Sequence, residues 1–135
     1  MAVRIQHREG GEPLGSSVLL AALDDLMLSE YLLEPGTAPG DPHYHANHTD
    51  AFYVLDGELE FVIDGEPVRA TGGTLVVAPR GEVHAFPVAI GGPARFLNIH
   101  TPGGFERYMR ALVEMRARGA LPDAEFQREH DQYLV

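Results

Sequence analysis

Residues 36–57 read GTAPGDPHYHANHTDAFYVLDG, and residues 73–88 read GTLVVAPRGEVHAFPV. Each stretch joins glycine- and proline-marked turns to histidine and to a run of apolar residues. His43 and His45 are two residues apart, so on a strand they share one face about 6.6 Å apart and can converge on one ion, while Tyr44 points the other way. Asp50 follows His45 by five residues, an odd offset that strict alternation sends to the opposite face. A turn within Ala46–Thr49 would reset the register. His84 follows Pro79-Arg80-Gly81, a tight turn able to fix where its imidazole enters a sheet. Three neutral imidazoles and a carboxylate suit one divalent transition metal ion per chain, Fe, Mn, Ni, Co, Cu or Zn. On an octahedral ion they leave two positions for water, dioxygen or a substrate oxygen.

Outward from these stretches, 15 glycines and 10 prolines are spread as punctuation. Short strands are expected near 43–46, 51–56, 58–64, 66–70, 74–78, 82–88 and 94–100, and their pacing argues a sandwich or barrel. Asp56-Gly57 and Asp64-Gly65 both read as hairpin turns, because Asp and Gly tolerate the positive φ of a type I′ turn. Val18–Leu33 fits two strands joined at Asp24-Asp25 better than a helix, since the sheet edges need partners. After Pro102-Gly103-Gly104 the period becomes helical: Phe105, Tyr108, Met109, Leu112, Val113 and Arg116 predict a helix over about 105–118 that stops at Gly119. A second helix is expected over about 122–131, with Pro122 or Asp123 in its first turn. The chain thus reads as one all-β domain, 1–135, with a barrel over about 14–101 and a short C-terminal helical tail.

Composition removes whole classes of chemistry. The 135 residues are 44% hydrophobic and 22% charged, and no apolar run approaches the ~18–20 residues of a helical membrane span. The first residues lack the apolar stretch and cleavage site of a secretory signal, so a cytoplasmic address is expected. Without cysteine there are no disulfides, thiolate metal sites or cysteine nucleophile; without lysine there is no Schiff base. Ser16, Ser17 and Ser29 lie outside any serine-hydrolase elbow. A net charge of −10 repels phosphate backbones and anionic lipids, so neither nucleic acid nor membrane is an expected partner. Histidine is what remains abundant, with seven in the chain.

The spacing of the two opening stretches resembles the paired motifs of the cupin superfamily. The first motif, G-x5-H-x-H-x3,4-E-x6-G, is met by His43, His45, Asp50 in the glutamate position, and Gly57; Gly36 stands one residue further from His43 than the pattern has it. The second, G-x5-P-x-G-x2-H-x3-N, is met by Gly73, Pro79, Gly81 and His84, with Val88 where the pattern has Asn. The resemblance implies a cupin jelly-roll β-barrel holding a metal on His43, His45, Asp50 and His84. Asp50 is one methylene shorter than glutamate. It can reach the ion or serve a ligating histidine by a hydrogen bond, and His48 competes with it for the fourth place.

For the remaining candidates, the plainer reading stands beside the functional one. His48 reads as a solvated loop histidine, and His7 and His130 have no expected role. Met27, Phe52, Phe61 and Phe86 read as core. His100 shares a strand face with Asn98 and Phe96: turned inward, these would orient substrate or move protons; turned outward, they are surface. The strand AFYVLDG is apolar on both faces, so its outer face needs a cover from the N-terminal strands, the C-terminal helix or a second subunit, and a homodimer is the expected one.

The long run, especially DAFYVLDGELEF and RFLNIHTPGGFERY, resembles small quercetin dioxygenase-like cupins. That likeness implies a metal-dependent oxygenase acting on a small organic molecule with an enol or phenol oxygen, with Asp50 and His100 as candidate catalytic residues. A non-catalytic metal- or ligand-binding module is the alternative. A sugar isomerase or epimerase is a third, which would want cations near the pocket, where only Arg80 and Arg95 are in view.

Overall fold

Along Thr49–Asp56 burial alternates, with Asp50, Phe52 and Val54 inward and Tyr53 and Leu55 outward. Ala94–Thr101 alternates likewise, with Ala94, Phe96, Asn98 and His100 inward. These are β5 and β10, paired antiparallel so that His100 lies opposite Asp50 and Asn98 opposite Phe52. A period of two with one apolar face is what a strand over a core requires. The computed structural model describes residues 3–135; the first two residues of the expected 1–135 unit lie outside the described residues.

The other strands are β1 (Glu12–Leu14), β2 (Ser17–Ala22), β3 (Met27–Leu33), β4 (His43–Tyr44), β6 (Glu58–Ile63), β7 (Glu66–Thr71), β8 (Leu75–Ala78), β9 (Val88–Ala89) and β11 (Tyr133–Leu134). They form a six-stranded sheet ordered β1-β2-β3-β10-β5-β8, a three-stranded sheet β7-β6-β9 and a two-stranded ladder β11-β4. The strands form a jelly-roll whose sheets face one another across a core without closing into one continuous ladder. That core holds Leu33, Phe52, Val54, Leu59, Phe61 and Phe96. Val18–Leu33 folds as the expected strand pair.

Three expectations need correction. Asp56-Gly57 is not a hairpin: β5 pairs with β10 and β8, whereas β6 pairs with β7 and β9. Gly57 has φ 84°, and a Cβ there would lie 2.6 Å from the Pro93 carbonyl oxygen. It therefore serves a corner that carries the chain from one sheet to the other. Asp64 (φ 51°) and Gly65 (φ 79°) do make the two-residue turn between β6 and β7. Residues 82–88 are mostly loop, with one bridge from His84 to His43 and strand structure only at β9; Pro87 cannot donate to a ladder. The strand expected at 43–46 is likewise confined to β4.

Helix α1 (Glu106–Ala117) matches its expected place and packs against β1–β3 through Met109, which joins Leu14, Leu19 and Met27 in a second cluster. Helix α2 (Ala124–Glu129) is shorter than expected: Asp123 caps it from outside, accepting the Phe126 N–H at 2.8 Å. No helix among the described residues is long and apolar enough to cross a membrane. Neither the N-terminal strands nor α1 covers the outer face, where Tyr53, Leu75 and Val77 stay exposed beside one another on β5 and β8.

Candidate metal centre

Backbone pairing sets the positions of two of the motif histidines. His43 and His84 exchange N–H···O bonds of 2.8 Å in both directions, and the Gly81 N–H donates to the His45 carbonyl at 2.8 Å. The turn after Pro79 is thereby docked on β4 and the His45 that follows it. A bend at Ala46-Asn47 breaks the alternation, so Asp50 enters β5 facing the same interior as the histidines. Donor atoms of His43, His45, Asp50 and His84 all lie within 4.8 Å of one another.

Hydrogen bonds orient the rings. Nδ1–H of His43 donates to the Asp41 carbonyl at 2.8 Å, that of His84 to the Glu82 carbonyl at 3.0 Å, and that of His45 to the Asp131 carbonyl at 2.8 Å. With Nδ1 occupied, Nε2 is turned to the interior in all three, the arrangement by which metal-ligating histidines are held. Asp50 is buried; its Oδ1 accepts from Asn98 Nδ2 at 2.7 Å and its Oδ2 from His84 Nε2 at 3.0 Å. Burial alone would raise its pKa, but His100, His45 and His84 hold it well below the usual carboxylate range. His84 has an acceptor at each ring nitrogen, which requires the imidazolium; burial opposes that charge, and the Asp50 contact outweighs it and raises the pKa. Burial lowers His43 to about 4, with the neighbouring rings adding to the effect. An ionised carboxylate, a neutral imidazole on His43 and an orphaned buried Nε2 on His45 form with His84 a donor set that fits a divalent ion, and ligation by His84 would release its proton.

His100 faces inward: it is 2% exposed, donates Nε2–H to Asn98 Oδ1 at 2.9 Å, and lies 3.3 Å from Asp50. Burial lowers its pKa to about 4 against the pull of Asp50. Asn98 lies beside it, sending its amide hydrogens to Asp50 and to the Ala51 carbonyl. His48 corrects the solvated reading. It is 6% exposed, and Nδ1 bonds Asp131 Oδ2 at 2.7 Å. Asp131 itself was invisible in the sequence. Beyond α2 it belongs to no motif or period, yet its carboxylate also accepts the Ala46 and Asn47 N–H groups.

His43, His45, Asp50, His84, Asn98 and His100 line one end of a cavity of about 560 Å³, whose other walls include Tyr31, Leu33, Phe52 and Phe86. The structure removes Arg80 and Arg95 as cavity cations. Neither lines the cavity, and Arg95 pairs with Glu30 at 3.2 Å. Arg116 of α1 is the arginine on the cavity wall among the described residues.

Residues 29–100 match the family described as the cupin domain. A quercetin 2,3-dioxygenase of Bacillus subtilis is 30% identical over 70 residues, 52% of this chain and 20% of that enzyme. Of the three curated relatives matched, the aligned stretches span 20%, 37% and 34% of the length. Among solved structures, KdgF from Halomonas is 28% identical with a TM-score of 0.60, covering 67% of this chain and 81% of that one. An RmlC-like cupin from Shewanella frigidimarina has a TM-score of 0.63 at 22% identity, covering 76% and 93% respectively, and shares the fold.

Proposed function

The chain belongs to the cupin domain family, and from that premise we propose a metal-dependent oxygenase acting on a small organic molecule with an enol or phenol oxygen. The convergence of His43, His45, Asp50 and His84 carries this reading, and the stretch shared with a quercetin dioxygenase supports it. The four residues would hold one divalent ion per chain. Such an ion supplies Lewis acidity toward the substrate oxygen and, if redox-active, electron transfer with dioxygen. Tyr31, Phe52 and Phe86 receive a flat apolar body. At the polar end, ionised Asp50 accepts the substrate hydroxyl proton, and His100 holds its place through Asn98.

Elemental analysis of wild type beside His84→Ala, with an anomalous-scattering map of each to place the ion, tests the site, and oxygen uptake with flavonols and diketones tests the reaction. We expect about one ion per wild-type chain, lost or strongly weakened from the motif position in the variant, and uptake only with metal loaded. A bound ion with no uptake across the panel would favour the non-catalytic module; turnover of a sugar phosphate dependent on Arg116 would favour the isomerase. The uncovered apolar face of β5 and β8 supports a homodimer. Light scattering should then give twice the 14.7 kDa chain mass, and a monomer at micromolar concentration would end that reading.

A further inference from the structure

We propose that the interior holds a second metal position, made by Nε2 of His45, Nε2 of His48 and Nδ1 of His100, which competes with the motif position for His45. These three nitrogens are buried without a hydrogen-bond partner, His45 Nε2 lying 3.4 Å from Asp50 Oδ2, and one ring nitrogen of each residue lies within 4.8 Å of those of the other two. His48 and His100 fall outside the four motif ligands.

The surrounding hydrogen bonds fix which nitrogen of each ring carries the lone pair. His45 Nδ1 faces a carbonyl oxygen and His48 Nδ1 a carboxylate, both of Asp131; neither acceptor can donate, so both Nδ1 atoms carry protons and the neutral rings that bind a cation have their lone pairs on Nε2. Asn98 spends its amide hydrogens on Asp50 and the Ala51 carbonyl, so its Oδ1 must accept from His100 Nε2. The His100 lone pair is then on Nδ1. Three acceptors without a donor thus face one another in a dry interior, a costly arrangement that a cation offsets. Phe105 covers them, its ring stacked on His100 at 4.7 Å and set 5.2 Å from the rings of both His45 and His48.

Three neutral imidazoles with no thiolate suit Zn²⁺, Co²⁺ or Cu²⁺ and leave a fourth place open. Tetrahedral nitrogens about 2.05 Å from zinc stand roughly 3.3 Å apart, so the rings draw inward on binding. His45 offers one lone pair and can serve one ion at a time. The two positions are therefore alternatives, and the chain takes one ion through His45 whichever is filled.

The test is a Co²⁺ and Zn²⁺ titration of His43→Ala/His84→Ala, which strips the motif position to His45 and Asp50, with anomalous scattering from metal-soaked crystals. We expect one equivalent bound, a peak among His45, His48 and His100, and no binding above the nonspecific level once His48→Ala is added. Thermal melting of each variant controls for folding. A peak on His45 and Asp50, electron density of a water only, or no ion in a folded double variant would each overturn the proposal. None of those results touches the motif position, which wild type and His84→Ala report separately. Should the double variant fail to fold, His43→Ala read by the same anomalous map decides.

Discussion

His43 and His84 are oriented by the carbonyl oxygens of residues two positions back along the chain, Asp41 and Glu82. His45 and His48 are oriented by Asp131, 86 and 83 residues away. One half of the histidine cluster is held by its own strand and turn, and the other by a tail that must fold back. The ladder β11-β4 completes that return, with Tyr133 opposite Tyr44 and Leu134 opposite His43. Local support is robust to side-chain change because backbone carbonyls supply it. In the distant half a carbonyl holds His45, but His48 and the Ala46 and Asn47 N–H groups depend on one carboxylate, which is where a single substitution can act.

Asp131→Ala should show the largest effect. It removes the acceptor for His48 and for the Ala46 and Asn47 N–H groups, so unfolding in denaturant should need about 2–4 kcal/mol less. Ion binding through His48 should weaken about 10–100-fold, as losing the partner of a ligating histidine does, whereas the backbone carbonyl that orients His45 is kept. Equal stability of variant and wild type would dissolve the contrast between the two halves. An intermediate effect comes from the cavity wall they share. Burial pushes the Tyr31 phenol up to about 12, so between about pH 10 and 12 the folded state holds a proton that the unfolded chain has lost. Stability contributed by the neutral phenol is present below pH 10 and lost as pH rises through 12. Ultraviolet titration should accordingly lose its highest tyrosine step in Tyr31→Phe. The smallest effects belong to Asp41→Ala and Glu82→Ala, which keep the carbonyls; stability should move by no more than about 0.5 kcal/mol. A loss as large as that of Asp131→Ala would mean that the local half depends on those carboxylates after all.

The same contrast separates what could be read from the chain from what could not. Ligand spacing made His43, His45, Asp50 and His84 legible, because strand alternation and one tight turn act over a few residues. Parity alone left the facing of His100 open; the pairing of β10 with β5 settles it by turning Phe96 and His100 into the interior. His48 was misread because nothing near it in sequence buries it. The residue that does lies beyond two helices. Asp56-Gly57 failed for a related reason: a turn signal says that the chain reverses, but not which strand it meets next.

The return of Asp131 also orders events during synthesis. Ribosomes add about 5–20 residues per second, so the 83 residues between His48 and Asp131 take about 4–17 s to make. From the synthesis of His84 onward the nascent chain carries every motif histidine, but two of the imidazoles lack the partner that fixes their tautomer. An ion met then finds flexible donors that bind by intrinsic affinity, and geometry can discriminate among metals only after the tail docks.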